Sequence, residues 1–300
     1  MVFVCLMLPL ASRGEIQMAI TVDYLPSHGQ LPGGVSRLEV ATQMLSVLKK
    51  HNVPEVYGFT NASKVEFQKE DEAVLMAWRK AGYPLANHTY SHPDLNKVEV
   101  SAFESDITRN EKLLAVLNDG LDWKYFRYPF LHEGDTLEKR NAIRAFLKKN
   151  DYKIAQVTVD FEDWGWNNPY ARCVNKKDKK AIAWLKKTYL EQAGLKLDQT
   201  EKITTYLFKR PVKHILLLHV GAFDAEMLND LLKLYKKKGV KFISLSEAAQ
   251  DEIYAIDPMV VGKSGSELHF QVLKSRGLKL KDTGAGSVTY PEDELAKICF

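Results

Sequence analysis

"HILLLHV" (214–220) and the "AEMLNDLLKLYKKKG" (225–239) that follows it decide the fold. The first is a near-continuous apolar run, as a strand buried on both faces of a parallel sheet requires. The second has helical spacing and ends in lysines and a glycine, residues that suit a helix C-terminus. Together they read as one β-then-α unit. Six more apolar runs extend the pattern: "MAITVD" (18–23), "EVYGFT" (55–60), "YPLAN" (83–87), "KYFRY" (124–128), "YKIAQVTVD" (152–160) and "VKFISL" (240–245). Helical segments lie between them. In "SRLEVATQMLSVLKKHN", Leu38, Thr42, Leu45 and Leu48 fall on one face, with Ser36 and Glu39 forming a capping box. Repeated units of this kind predict a parallel sheet. Seven strands suit a closed barrel better than an open doubly wound sheet, and no GxGxxG follows the first strand to suggest a bound dinucleotide.

Two segments break the rhythm. Residues 166–212 are expected to insert one or two lysine-rich helices between the fifth and sixth strands, and residues 251–300, with "GKSGSE" and "DTGAGS", read as an irregular C-terminal extension packed on a barrel of residues 14–250.

Composition narrows the function. The chain has 300 residues, 45% hydrophobic and 27% charged, with a net charge of +4. That is the profile of a globular protein, and the charge is too small and too spread to make nucleic acid the expected partner. The apolar start "MVFVCLMLPLASRG" is too short to span a bilayer. It reads either as a first buried strand or as the core of a secretory signal without its positive end; an exported protein, periplasmic or extracellular, with residues 1–13 as signal remnant, is the expectation. Cys173 and Cys299 would then remain as an even pair, either joined or as two buried thiols.

In parallel α/β folds functional groups gather at the C-terminal ends of strands. Five polar clusters stand there: Asp23 in "TVDY" (21–24), His88 and His92 in "HTYSH" (88–92), Arg127 and Phe130 in "RYPF" (127–130), Asp163 and Trp164 in "DFEDW" (160–164), and His219 in "LLLH" (216–219). One polar strand end is ordinary solvation; five on one rim point to a site. Taken singly, each has a structural reading: His219 as a core histidine, Arg127 with Asp160 as an ion pair, Trp166 as core.

In order and spacing these five segments resemble the motifs of polysaccharide deacetylases of the NodB-homology type (carbohydrate esterase family 4). The resemblance spans residues 18 to about 247 and implies a distorted (β/α)7 barrel that hydrolyses N-acetyl groups on a glycan. It implies a divalent metal, zinc being the expected ion, on His88 and His92. It further implies Asp23 as general base, Arg127 as its orienting cation, and the Phe130 N–H as an oxyanion donor. His219 becomes the general acid, Asp163 its support and Trp164 an apolar wall. The expected partner is an N-acetylated polymer, peptidoglycan before chitin-type chains.

One motif departs from the family. Its second aspartate, the usual third metal ligand, is here Tyr24, whose phenol is a poor ligand for a zinc-like ion. Three outcomes are open: a metal completed by Asp23, Asp94 or Glu133; a metal held by two histidines, water and substrate; or a protein that keeps glycan binding and has lost catalysis. The expectation is a working enzyme with altered coordination, Tyr24 lining the substrate side. His28 and His132 lie in rim loops from which either could reach the site, without an assigned role.

Overall fold

The computed structural model describes residues 15–300, so the expected signal segment lies outside the described residues. Seven parallel strands form one curled sheet: β1 (Ile16–Leu25), β2 (Val56–Thr60), β3 (Leu85–Asn87), β4 (Tyr125–Phe126), β5 (Lys153–Ile154), β6 (Lys213–His219) and β7 (Val240–Ile243). The order is β5-β4-β3-β2-β1-β6, with β7 paired to the start of β1. Beyond β5 the chain rejoins the sheet at Val159, which bridges Leu216 on β6 and brings the two edges together. This is the distorted (β/α)7 barrel.

Two predicted strands are shorter than their apolar runs. "KYFRY" pairs only at Tyr125–Phe126, and "YKIAQVTVD" only at Lys153–Ile154 before its single bridge. Between these points the Arg127 guanidinium enters the barrel, and its Nε donates to the Ala155 carbonyl (2.6 Å) that a longer strand would have turned to a neighbour.

Strand alternation separates two apolar layers. Ala19, Tyr57, Ala86, Tyr125, Ile215 and Ile243 fill the barrel interior. Met18, Ile20, Val22, Leu216 and Leu218 point outward and pack beneath the helices. Those are α1 (Arg37–Lys50), α2 (Ser63–Phe67), α3 (Glu72–Lys80), α4 (Val100–Asn118), α5 (Leu137–Lys149), α6 (Asn167–Asn175), α7 (Lys179–Phe208), α8 (Ala222–Lys237), α9 (Leu245–Ala248), α10 (Leu268–Ser275) and α11 (Glu292–Lys297). The Ser36–Glu39 capping box forms as read. The buried stripe of α1 does not: Val40, Ala41, Met44, Leu45 and Leu48 face in, whereas Leu38 and Thr42 face out. Contact with both α3 and α8 requires this broader stripe.

The insertion consists of α6 and the 30-residue α7. Residues 251–300 start beside the first residue of β6, where the Lys213 N–H donates to Asp251 Oδ2 (2.9 Å), and Cys299 near their end is bonded to Cys173 on α6. Among the described residues no helix is long and apolar enough to cross a membrane.

Candidate active site

Register places the reactive groups. In the β1–β6 ladder Asp23 is the direct partner of His219, so a carboxyl and an imidazole stand side by side at the barrel mouth. In the β3–β4 ladder Asn87 pairs with Phe126, which sets His88 next to Arg127. A cavity of about 530 Å³ opens here, lined by Asp23, His219 and His88 together with Tyr24, His92, Phe130 and Trp164.

Asp23 is held from below. Arg127 Nη1 reaches both of its oxygens at 3.2 Å, and Arg127 Nη2 bonds Thr21 Oγ1 (3.1 Å). The guanidinium lies over the Phe59 ring, 4.6 Å from its centroid. Burial raises the Asp23 carboxyl above the ordinary aspartate value, against the opposing pull of Arg127 and His219. Asp160, the alternative partner of Arg127, instead accepts the Glu162 N–H (2.8 Å), and burial with neighbouring carboxylates pushes it up to about 7. The ion pair belongs to Asp23.

His219 is not a core histidine. Its Nδ1 meets Asp163 Oδ1 (2.9 Å), its backbone N–H donates to Asp163 Oδ2 (2.7 Å), and its ring opens on the cavity. Burial alone would lower the imidazole, but the charges of Asp163 and Asp23 prevail and hold it above the usual histidine value. Behind Asp163 stands Asp224, which no sequence motif marked. Tyr189 Oη donates to Asp224 Oδ1 (2.9 Å), while Oδ2 finds no N–H or O–H donor. Burial and the Asp163 charge push Asp224 far up, so it keeps its proton and offers it to Asp163. The relay therefore runs His219–Asp163–Asp224–Tyr189.

His88 and His92 meet at a centroid separation of 4.8 Å. His88 Nδ1 is bonded to the Arg127 carbonyl (2.9 Å), which makes Nδ1 the protonated nitrogen and leaves the Nε2 lone pair free, 3.8 Å from Asp23 Oδ2. Burial lowers His88 to about 3 and His92 to about 2, so both rings are neutral and able to donate to a metal. The loop is fixed by Asn61 Nδ2, which donates to the carbonyls of His88 (2.6 Å) and Thr89 (3.0 Å), and by Thr89 Oγ1, which accepts the His92 N–H (3.1 Å).

The third donor is where expectation and structure part. Among the described residues no three His, Cys, Asp or Glu side chains gather as a metal cluster. Both Asp23 oxygens are engaged by Arg127 Nη1. Asp94 is taken by His132 (2.7 Å), and Glu133 by Arg144 (2.6 Å) and Gln156 (2.8 Å), so neither substitutes. The Tyr24 ring lies 4.3 Å from that of His92 between centroids, and Lys64 Nζ sits over it, 3.3 Å from its centroid. Two neutral nitrogens fit an exchangeable divalent ion with open positions; they do not make a closed structural site. His28 also enters the cavity, against His219 (4.8 Å) and Tyr24 (5.3 Å), while His132 does not reach it.

Non-glycine residues with positive φ cluster on this rim: Tyr24 (72°), Thr89 (66°), His92 (62°), Phe130 (58°), Leu131 (55°) and Glu162 (61°). Each such conformation costs about 1–3 kcal/mol and persists only where its surroundings impose it.

Residues 11–155 match the family model described as polysaccharide deacetylase. The chain carries a polysaccharide deacetylase domain. A peptidoglycan-N-acetylglucosamine deacetylase of Bacillus cereus is 31% identical over 127 residues, 42% of this chain and 42% of that protein, so the match spans under half of that relative's length. In fold, the barrel resembles a polysaccharide deacetylase of Bacillus cereus (TM-score 0.52, 18% identity, 77% of this chain and 91% of the other). It also resembles a carbohydrate esterase family 4 pseudoenzyme from Bacillus anthracis (TM-score 0.54, 16% identity, 78% and 66%).

Proposed function

We propose that the chain is a hydrolase that removes N-acetyl groups from N-acetylglucosamine units of a cell-wall glycan, peptidoglycan first and chitin-type chains second. The observation that carries this reading is Asp23 and His219 on one cavity, each with its own support, Arg127 for the carboxylate and Asp163 for the imidazole. An acetamide is unactivated, so its hydrolysis needs a base for water, a donor for the oxyanion and an acid for the departing nitrogen.

In this reading His88 and His92 hold a divalent ion, zinc by preference, that supplies Lewis-acid charge when bound. Asp23 takes a proton from water as its oxygen bonds to the acetyl carbon. The Phe130 N–H, which has no protein acceptor among the described residues, receives the developing oxyanion. His219 passes its proton to the nitrogen as the C–N bond breaks, which leaves acetate and an amine. Trp164, 45% exposed on the cavity wall, offers an apolar face to the sugar or the acetyl methyl. The Cys173–Cys299 bond suits an oxidising, exported setting.

Acetate release from an N-acetylglucosamine oligosaccharide tests the proposal. Turnover should stop with a chelator and return with added zinc. Tyr24 favours one rival, a glycan-binding protein without turnover; saturable oligosaccharide binding with no acetate under any metal would establish it.

A further inference from the structure

The extension reaches the candidate active site at a point that neither the motifs nor the family match covers, since the match ends at residue 155. Gly265, Ser266 and Glu267 line the cavity beside Phe130. Gly265 packs directly on the Phe130–Leu131 backbone: a Cβ built on it would overlap the Phe130 carbonyl oxygen and stand 2.8 Å from Leu131 Cβ. These are backbone and near-backbone atoms, which cannot swing aside as a side-chain tip would. Phe130 and Leu131 are also two consecutive non-glycine residues with positive φ, a conformation that needs outside support. The Phe130 ring in turn packs on His92, 4.5 Å between centroids.

The extension is itself anchored. Leu268 N–H donates to the Val157 carbonyl (2.8 Å). Gln271 Nε2 donates both to the Ser266 carbonyl (3.0 Å) and to Glu133 Oε1 (3.0 Å), which ties the glycine segment to the barrel. Asn96 Nδ2 donates to the Gly262 carbonyl (3.3 Å) on the far side of the loop.

We infer that the Gly265 segment is a wall of the substrate cavity, and that Gly265 is a positioning residue that presses the Phe130 loop into the conformation in which the Phe130 N–H faces the reacting carbonyl. The inference rests on the hydrolase reading for its effect on rate, but not for its effect on structure. A methyl group at position 265 must displace the Phe130 carbonyl, which is joined through a single Cα to the Phe130 N–H. A displacement on the order of 1 Å can cost about 10²-fold in rate. Gly286 lies in the same extension with open space around it, so a Cβ there meets nothing.

The test compares G265A and G286A in the full chain. In acetate release, G265A should lose about 10- to 100-fold in kcat with KM nearly unchanged, and G286A should match the wild type. A general loss of folded protein would instead lower the active fraction and the melting temperature together. The second readout needs no activity: in metal-free protein labelled with 15N-phenylalanine, the Phe130 amide resonance should move in G265A and stay in G286A. Q271A, which loosens the segment without adding bulk, should move the same resonance less and serves if G265A does not fold. An unmoved Phe130 resonance in these variants, or wild-type kcat in G265A, overturns the inference. Absence of turnover in the wild type would defeat the hydrolase reading alone, because the resonance still reports on Gly265.

Discussion

At the scale of single residues, the site is a set of tuned protonation states. In the hydrolase reading His219 serves as an acid only while protonated, and the Asp163 charge keeps it so to higher pH than a free imidazole. The raised His219 pKa means that its share of folding stability is full below the unfolded value and is lost as pH rises through the folded one. D163N removes that charge, so the alkaline limb of the pH–rate profile should move to lower pH, with kcat reduced by about 10²- to 10⁴-fold. An unmoved alkaline limb would take His219 out of the acid role. Asp224 acts one step further back. D224N can still donate to Asp163 and should retain most activity, whereas D224L leaves Asp163 without that donor and should shift the same limb. Tyr24 is the residue at which the site departs from its family. Y24D should tighten zinc binding in calorimetry, but the new carboxylate would sit against Lys64, whose ammonium burial lowers to about 7. Y24D/K64M should therefore bind zinc more tightly than Y24D. Equal affinities for wild type and both variants would show that position 24 does not face the ion.

At the scale of elements, one helix holds the histidine loop in place. Asn110 on α4 donates to the Thr60 carbonyl (2.8 Å) and Asn87 Oδ1 (2.9 Å) and accepts the Ala62 N–H (2.9 Å), all in the buried interior. N110A leaves these groups unpaired at about 1–3 kcal/mol each. It should lower both the melting temperature and the zinc affinity; a stable N110A with unchanged zinc binding would contradict this account of the loop. Legibility in the sequence divides along the same elements. The long strands β1 and β6 were plain because an apolar run buried on both faces has few other readings. Their register then brought Asp23 to His219 as the motifs implied. β4 and β5 were overread, since apolar residues that line a barrel between bridges look the same in sequence as paired ones. His28 was legible as a rim-loop histidine within reach of the site, but Lys64, Asp224 and Gly265 carried no local signal. Each of these three meets the site only through tertiary placement, Gly265 from a loop, Lys64 and Asp224 from helices.

At the scale of the molecule, the barrel and its extension close into one unit. Arg172 on α6 donates to the carbonyls of Leu295 (3.0 Å) and Ile298 (3.2 Å), beside the Cys173–Cys299 bond. Tyr290, just before α11, packs on Trp166 (5.4 Å) and Trp164 (6.0 Å), so the C-terminal end supports the Trp164 wall of the cavity. The disulfide closes a span of 126 residues, and C173S/C299S should lose about 2–5 kcal/mol of stability in denaturant titration. An unchanged midpoint would mean that noncovalent contacts suffice. The central claim is a chemical one: the carboxylate beside Arg127 and the imidazole beside Asp163 cleave an acetamide together. It is tested most directly by measuring acetate and free amine from an N-acetylglucosamine oligosaccharide with zinc-supplemented wild type and D23N, alongside oligosaccharide affinity. Equimolar acetate and amine from the wild type, with D23N silent yet still binding, is the predicted result; equal turnover by both proteins, or none by either, would contradict the claim.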